Sequence, residues 1–191
     1  VVEAEIDIIR ALGVEIKCGV EVGKDITLDE LRKDGYEAFY IAIGCQGSRK
    51  SGVDGEDADG VMSAVDILHE IAENHDLNLK GNKTVVIGGG NVAVDVARST
   101  KRCGADVLGM FCLESREEMP ASEEEIFETE DEGIQINNGW GVKEILTQNG
   151  KVTGVVLKKC TSVKDANGKF NPQYDENDTQ TIECERIYLS I

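Results

Sequence analysis

Apolar residues recur along the chain at two spacings, one helical and one strand-like. Ile8, Ile9 and Leu12 lie at helical spacing and Gly13 follows as a stop, so the chain opens in a helix. A short strand is expected over Val14–Cys18. Thr27 with Glu30 three residues on is a capping box, which predicts a helix that Gly35 ends. The unbroken apolar run Ala38–Ile43 reads as a strand buried on both faces, with Gly44 closing it. Residues 47–60 mix glycines with charges of both signs and show no period, which makes them the best boundary between domains. Ser63 and Asp66 then open another helix through about Glu73.

The second half is more regular. Lys83–Ile87 is a strand, Gly88-Gly89-Gly90 a turn, and a helix runs from about Asn91 to Cys103 before Gly104. The inner stripe of that helix is expected to be Val92, Ala93, Val96, Ala97 and Thr100, with Asp95, Arg98, Lys101 and Arg102 outside. Asp106–Cys112 supplies the next strand. The three pieces form a βαβ unit, parallel and right-handed. Ser122 and Glu125 mark another capping box, opening a short acidic helix that Gly133 ends. Strand-like stretches follow at Ile134–Asn138, Val142–Thr147, Val152–Cys160, Thr181–Cys184 and Ile187–Ile191. Asn149-Gly150 is a hairpin signal. Asn167-Gly168 and the polar run Asn171–Gln180 read as an exposed hairpin tip. The expected architecture is α/β and Rossmann-like: three layers, a central parallel sheet and an antiparallel β-meander crossover.

Composition narrows the partners. The 191 residues carry 20 Lys+Arg against 37 Asp+Glu, a net charge of −17, which argues against nucleic acid or an anionic membrane surface. No apolar run approaches the roughly 18–20 residues of a membrane helix. The six cysteines form no CxxC pair, so zinc-ribbon, iron–sulfur and dithiol patterns are absent, and buried reduced thiols in a cytoplasmic protein are expected. His69 and His75 have no third ligand nearby and read as surface or helix-packing residues. Glu123-Glu124-Glu125 is a charged helix start. Trp140, between two glycines, reads as a packing anchor.

The chemistry lies at the turn Gly88-Gly89-Gly90-Asn91-Val92-Ala93, which fits G-x-G-x-x-G/A in its confirming context, after a strand and at the start of a helix. Gly88 permits the tight turn, Gly90 lets a pyrophosphate approach the backbone, and small Ala93 lets helix and strand pack closely. The phosphates would rest on free N–H groups where the helix dipole favours negative charge. Beyond the second strand stand Leu113, Glu114, Ser115 and Arg116, where the adenine ribose would be read. A carboxylate there accepts from both ribose hydroxyls and repels a 2′-phosphate; an arginine does the reverse. Glu114 offers the first and Arg116 the second, and a solvated loop acid is the other reading of Glu114. An S-adenosylmethionine-dependent transferase, with its own glycine turn and acid, and a non-catalytic NADH-sensing module are rival readings.

The stretch VVIGGGNVAVDVARSTKRCGADV followed by SREEMPASEEEI resembles the nicotinamide-nucleotide domain of the glutamate synthase small (β) subunit and its relatives in dihydropyrimidine dehydrogenase and ferredoxin–NADP oxidoreductases. The flanks DIIRALGVEIKCGVEVGKDITLDEL, FYIAIG and RIYLSI resemble flavoproteins with two dinucleotide domains of the FAD/NAD(P)-binding kind. The resemblance implies that residues 1–52 are the C-terminal portion of an FAD domain and 53–191 the NAD(P)-binding domain of a larger chain. It implies hydride delivery from NAD(P)H to FAD, then electron transfer to iron–sulfur clusters or a larger catalytic subunit. The FAD would be bound mostly by residues outside this segment, which would not turn over alone. The arginine pair the family places before S-R-E-E-M-P is Leu113 and Glu114 here, which leans toward NADH. The cofactors carry the redox chemistry, so no catalytic acid, base or nucleophile is expected.

Overall fold

The computed structural model describes residues 2–45 and 47–191. The chain divides into two compact units, Val1–Cys45 and Gln46–Ile191.

The first unit holds helices α1 (Val2–Ala11) and α2 (Leu28–Lys33). The predicted capping box of α2 forms in full. Thr27 Oγ1 accepts from the Glu30 N–H at 3.2 Å, and the Glu30 carboxylate accepts from the Thr27 N–H at 2.8 Å. The two expected strands do not form: neither Val14–Cys18 nor Ala38–Ile43 is assigned to a strand. A strand exists only as part of a ladder, and among the described residues neither segment has a paired neighbour. The apolar side chains of Ile16, Tyr40, Ile41 and Ile43 accordingly stand exposed. Cys18 and Cys45 are exposed too, against the expectation of buried thiols.

The second unit begins its regular structure with β1 (Val61–Ser63), α3 (Ala64–Glu73), β2 (Lys83–Ile87), α4 (Asn91–Arg102) and β3 (Asp106–Cys112). It continues with a single 3₁₀ turn at Arg116–Glu118, then α5 (Glu123–Asp131) and β4 (Ile136–Asn138). The long strands β5 (Trp140–Gln148), β6 (Lys151–Lys164) and β7 (Phe170–Ile182) follow, and β8 (Arg186–Leu189) ends the fold. Five strands form a parallel sheet in the order β1-β8-β2-β3-β4, and β5-β6-β7 form an antiparallel meander. The meander is the crossover from β4 to β8, as expected.

Alternation along the central strands explains the three layers. Val86, Met110 and Tyr188 point to one face, where they pack with Ile67, Val94, Ala97 and Ile126 of the helices. Val85, Ile87, Phe111 and Ile187 point to the other and pack with Val155 and Leu157 of the meander. Each such side chain contributes about 1.5–3 kcal/mol on burial. A sheet sandwiched this way reads in sequence as unbroken apolar runs, and those runs were legible.

Three expectations are corrected in this unit. The polar run Asn171–Gln180 is not a hairpin tip but most of β7, whose tip is confined to the turn around Asn167-Gly168. β7 is an edge strand paired only with β6, so its outward positions are free to be polar. On α4 the inner stripe includes Val94, fully buried, whereas Val92 is 46% exposed. Arg98 does not face open solvent. It pairs with Glu125, Glu128 and Glu132 of α5, and Arg102 also pairs with Glu132.

The stretch 53–60 is built into the second unit. Asp59 N–H donates to the Gly150 carbonyl, Val152 N–H to Asp59 and Ile145 N–H to Asp54, each within 3.0 Å. The three-residue strand β1 that follows was too short to show a period.

Candidate functional site

The glycine turn has the construction its sequence implied. Gly88 leaves β2 at φ +145°, and its N–H donates to the Phe111 carbonyl at 2.9 Å. A Cβ on Gly88 would lie 2.3 Å from the Ser190 carbonyl oxygen and 3.1 Å from the Ala93 methyl, so no larger residue fits. Ala93 is completely buried in that contact. A Cβ on Gly89 would stand 2.9 Å from Cys112 Cβ and 3.0 Å from a Glu114 carboxylate oxygen. A Cβ on Gly90 would meet nothing within 4 Å. Gly90 is the N-cap of α4 and has no side chain to satisfy the amides ahead of it. Its carbonyl accepts from Ala93 and Val94. Among the described residues, the amides of Gly89, Gly90, Asn91 and Val92 donate to no other part of the chain. Unpaired donors at the positive end of a helix favour an anion.

A loop before α5 clasps this turn. Ala121 N–H donates to the Gly89 carbonyl at 3.1 Å, and Ser122 N–H donates to Asn91 Oδ1 at 2.9 Å. The capping box predicted from Ser122 and Glu125 is therefore only half internal. Ser122 Oγ accepts from the Glu125 N–H, but the Glu125 carboxylate is drawn to Arg98, and Asn91 accepts from the Ser122 N–H in its stead. Asn91 thus binds the loop with its side chain and offers only its amide to the turn.

A cavity of about 680 Å³ opens on Gly88, Gly89 and Gly90 and is walled by Cys112, Leu113 and Glu114. The sequence-predicted residues therefore divide. Gly88–Gly90, Leu113 and Glu114 come together around the cavity. Ser115 and Arg116 are exposed in the 3₁₀ turn region, outside its lining. The Arg116 guanidinium pairs with Glu130 at 3.1 Å and Ser115 Oγ reaches Glu118 at 3.4 Å. Val92 stands beside the turn, exposed.

Other lining residues were not anticipated. Arg49, Lys50 and Ser51 reach the cavity from the loop ahead of β1, and Trp140, Phe170 and Tyr174 reach it from the meander. The adjacent basic pair Arg49-Lys50 in so acidic a chain, and the single tryptophan, were the available signals. Lys50 is paired with Asp57. Trp140 packs against the meander-side core, as expected, and also walls the cavity.

The one thiol in the cavity wall is not a nucleophile. Burial, with the Glu114 charge adding to it, pushes Cys112 up to about 11, so it is protonated at neutral pH. Among the described residues no cluster of His, Cys, Asp or Glu could hold a metal ion, and no helix is long and apolar enough to cross a membrane. The arrangement sets unpaired amide donors, which suit an anion, beside a carboxylate able to accept from hydroxyl groups.

Comparison with known proteins defines the class. Residues 3–187 match the family described as pyridine nucleotide-disulphide oxidoreductase, and the chain belongs to it. Membership of an oxidoreductase family leaves the transferase reading without support. Among relatives, the chain is 35% identical over 178 residues to the NADP(+)-dependent formate dehydrogenase subunit beta of Moorella thermoacetica, covering 90% of this chain and 25% of that one. It is 31% identical over 198 residues to the glutamate synthase [NADPH] small chain of Escherichia coli K12, covering 96% and 41%. The chain therefore spans less than half the length of these relatives. FprA from Mycobacterium tuberculosis in complex with NADPH superposes with a TM-score of 0.73 at 20% identity, over 90% of this chain and 53% of that one, a likeness of fold.

Proposed function

We propose that residues 53–191 bind NAD(P)H and deliver its hydride to a flavin, as the nucleotide module of a flavoprotein related to the glutamate synthase small chain. One observation carries the reading: among the described residues the amides of Gly89–Val92 have no partner, and Gly89 and Gly90 open on a cavity in which the Glu114 carboxylate lies close beside Gly89. The pyrophosphate would rest on those amides and Glu114 would accept from the adenosine ribose hydroxyls. When bound, the nicotinamide supplies the hydride. This chain's own residues bind and aim, and the thiol in the cavity wall, Cys112, is held protonated.

Residues 1–52 would complete an FAD domain with residues outside this segment. That role accounts for the exposed apolar segments around Ile16 and Ile41. Electrons would pass on to iron–sulfur clusters or a larger subunit, for which two relatives named as beta subunits are the support.

NADH is the favoured nucleotide. Glu114 faces the cavity, whereas Arg116, the arginine two residues on, is engaged with Glu130. A carboxylate at the ribose repels a 2′-phosphate. One relative, PreT of Escherichia coli O157:H7, is named NAD-dependent and is 33% identical over 154 residues. Calorimetric titration with NADH and NADPH tests both points. The wild type should bind NADH more tightly, and Glu114→Arg should shift the ratio toward NADPH by at least tenfold, the ratio that about 1.4 kcal/mol sets. An unchanged ratio removes Glu114 from the ribose, and no binding of either nucleotide removes the function.

A further inference from the structure

We infer that Asn138, the last residue of β4, is a positioning residue that holds Glu114 in place and so helps set the choice between NADH and NADPH. The inference rests on the reading of Glu114 proposed above and goes one residue beyond it, to the group that fixes where the carboxylate stands.

Among the described residues, the hydrogen bonds that Glu114 makes are all at its carbonyl. Its partly buried carboxylate is therefore free to accept from a ligand, and its place beside Gly89 is set through the main chain. That main chain is tied from β4. Asn138 Nδ2 donates to the Glu114 carbonyl at 3.1 Å and the Gly139 N–H donates to it at 3.2 Å, one donor for each lone pair. The register explains the meeting. Cys112, the last residue of β3, stands opposite Asn138, so the two chains run on side by side beyond their strands.

Asn138 does more than a single donor would. The same Nδ2 donates to Cys112 Sγ at 3.3 Å. An amide NH2 has two hydrogens, and both are used on the residues that flank Leu113. The Asn138 side chain thus brackets the first bend of the chain as it leaves the sheet. Gly139 completes the anchor. It sits at φ +74°, where glycine is favoured, and its carbonyl accepts from the Cys160 N–H at 2.9 Å, which ties the anchor to β6.

A binding contact is only as exact as the bonds that hold the group making it. Without the Asn138 donor the Glu114 carbonyl keeps one strong tie of two. A carboxylate that drifts from its place accepts less well from a ribose 2′-hydroxyl and repels a 2′-phosphate less. Loss of Asn138 therefore acts in opposite directions on the two nucleotides, which a general loosening of the fold does not do.

The test measures NADH and NADPH affinity by calorimetry in the wild type, Asn138→Leu, Glu114→Ala and the double variant. Leucine is close to asparagine in size and donates nothing. Asn138→Leu should weaken NADH and leave NADPH equal or tighter, narrowing the NADH preference by about fivefold or more, the ratio that about 1 kcal/mol sets. In the Glu114→Ala background the same substitution should leave the ratio where it is, because the group it acts through is gone. An unchanged ratio in Asn138→Leu, or the same narrowing without Glu114, overturns the inference and leaves the ribose reading standing. A Glu114→Ala ratio equal to that of the wild type overturns the ribose reading and the inference with it, as does a wild-type chain that binds neither nucleotide. If Asn138→Leu fails to fold, Asn138→Ala decides the matter: it removes the same donor and leaves room for a water on the Glu114 carbonyl.

Discussion

Two neighbouring glycines should separate stability from binding. Gly88→Ala places a methyl 2.3 Å from the Ser190 carbonyl at a φ of +145°, so the backbone must shift. Strained backbone of this kind costs about 1–3 kcal/mol. At roughly 2–4 °C per kcal/mol for a chain of this size, the melting temperature should fall by several degrees. Gly90→Ala is different. Its φ of −93° and ψ of 174° are extended backbone that alanine adopts, and the methyl meets nothing within 4 Å. Losing glycine at an N-cap is unfavourable by up to about 1 kcal/mol, and stiffening the unfolded chain returns about 0.4–1 kcal/mol. The melting temperature should therefore barely move. That methyl nevertheless occupies the mouth of the turn, where a phosphate oxygen would meet the amides. Each charge-assisted hydrogen bond lost is worth about 1.5–3 kcal/mol, so affinity for NADH should fall at least tenfold. Thermal unfolding and calorimetric titration on the same preparations read both quantities. Wild-type affinity in Gly90→Ala would refute the phosphate turn, and a wild-type melting temperature in Gly88→Ala would refute the packing argument.

Three further outcomes follow from the site's surroundings. Asn91→Leu removes the acceptor for the Ser122 N–H and should cost about 1 kcal/mol, with faster amide exchange over residues 119–122; unchanged exchange there would exclude the clasp. Hydrogen bonds from Arg102 and Arg98 hold the Glu132 carboxyl below its ordinary value of 4.5, so its contribution is present above that pH and is lost as pH falls through the lowered value. The melting-temperature gap between wild type and Arg98→Met should therefore be full at pH 7 and narrow on acidification; a gap independent of pH would refute the pairing. Burial pushes Cys184 up to about 12, as it pushes Cys112 up, so both thiols stay protonated and stabilising until pH rises past 9. Alkylation at pH 8, followed by mass spectrometry, should label exposed Cys18 and Cys45 and spare Cys112, Cys160 and Cys184.

The sequence by itself determined whatever depends on neighbours along the chain. The α2 capping box, the Asn149-Gly150 hairpin, the β2–α4–β3 unit and the glycine turn are all local: a few adjacent residues set the backbone, and a fixed spacing sets the face. The tertiary structure decided whatever depends on a distant partner. Val14–Cys18 and Ala38–Ile43 have the apolar content of strands but no ladder to join, because strand formation is completed by another segment. Asn171–Gln180 has the opposite character and is a strand, because β6 supplies its hydrogen bonds and an edge leaves one side to water. The same holds in the site. Glu114 and Arg116 are two residues apart and equal candidates on paper; the turn at 116–118 sends one into the cavity and the other to Glu130. Asn91 lies inside the glycine-turn motif, yet its side chain is claimed by a loop some thirty residues on, whose own glutamate Arg98 has taken.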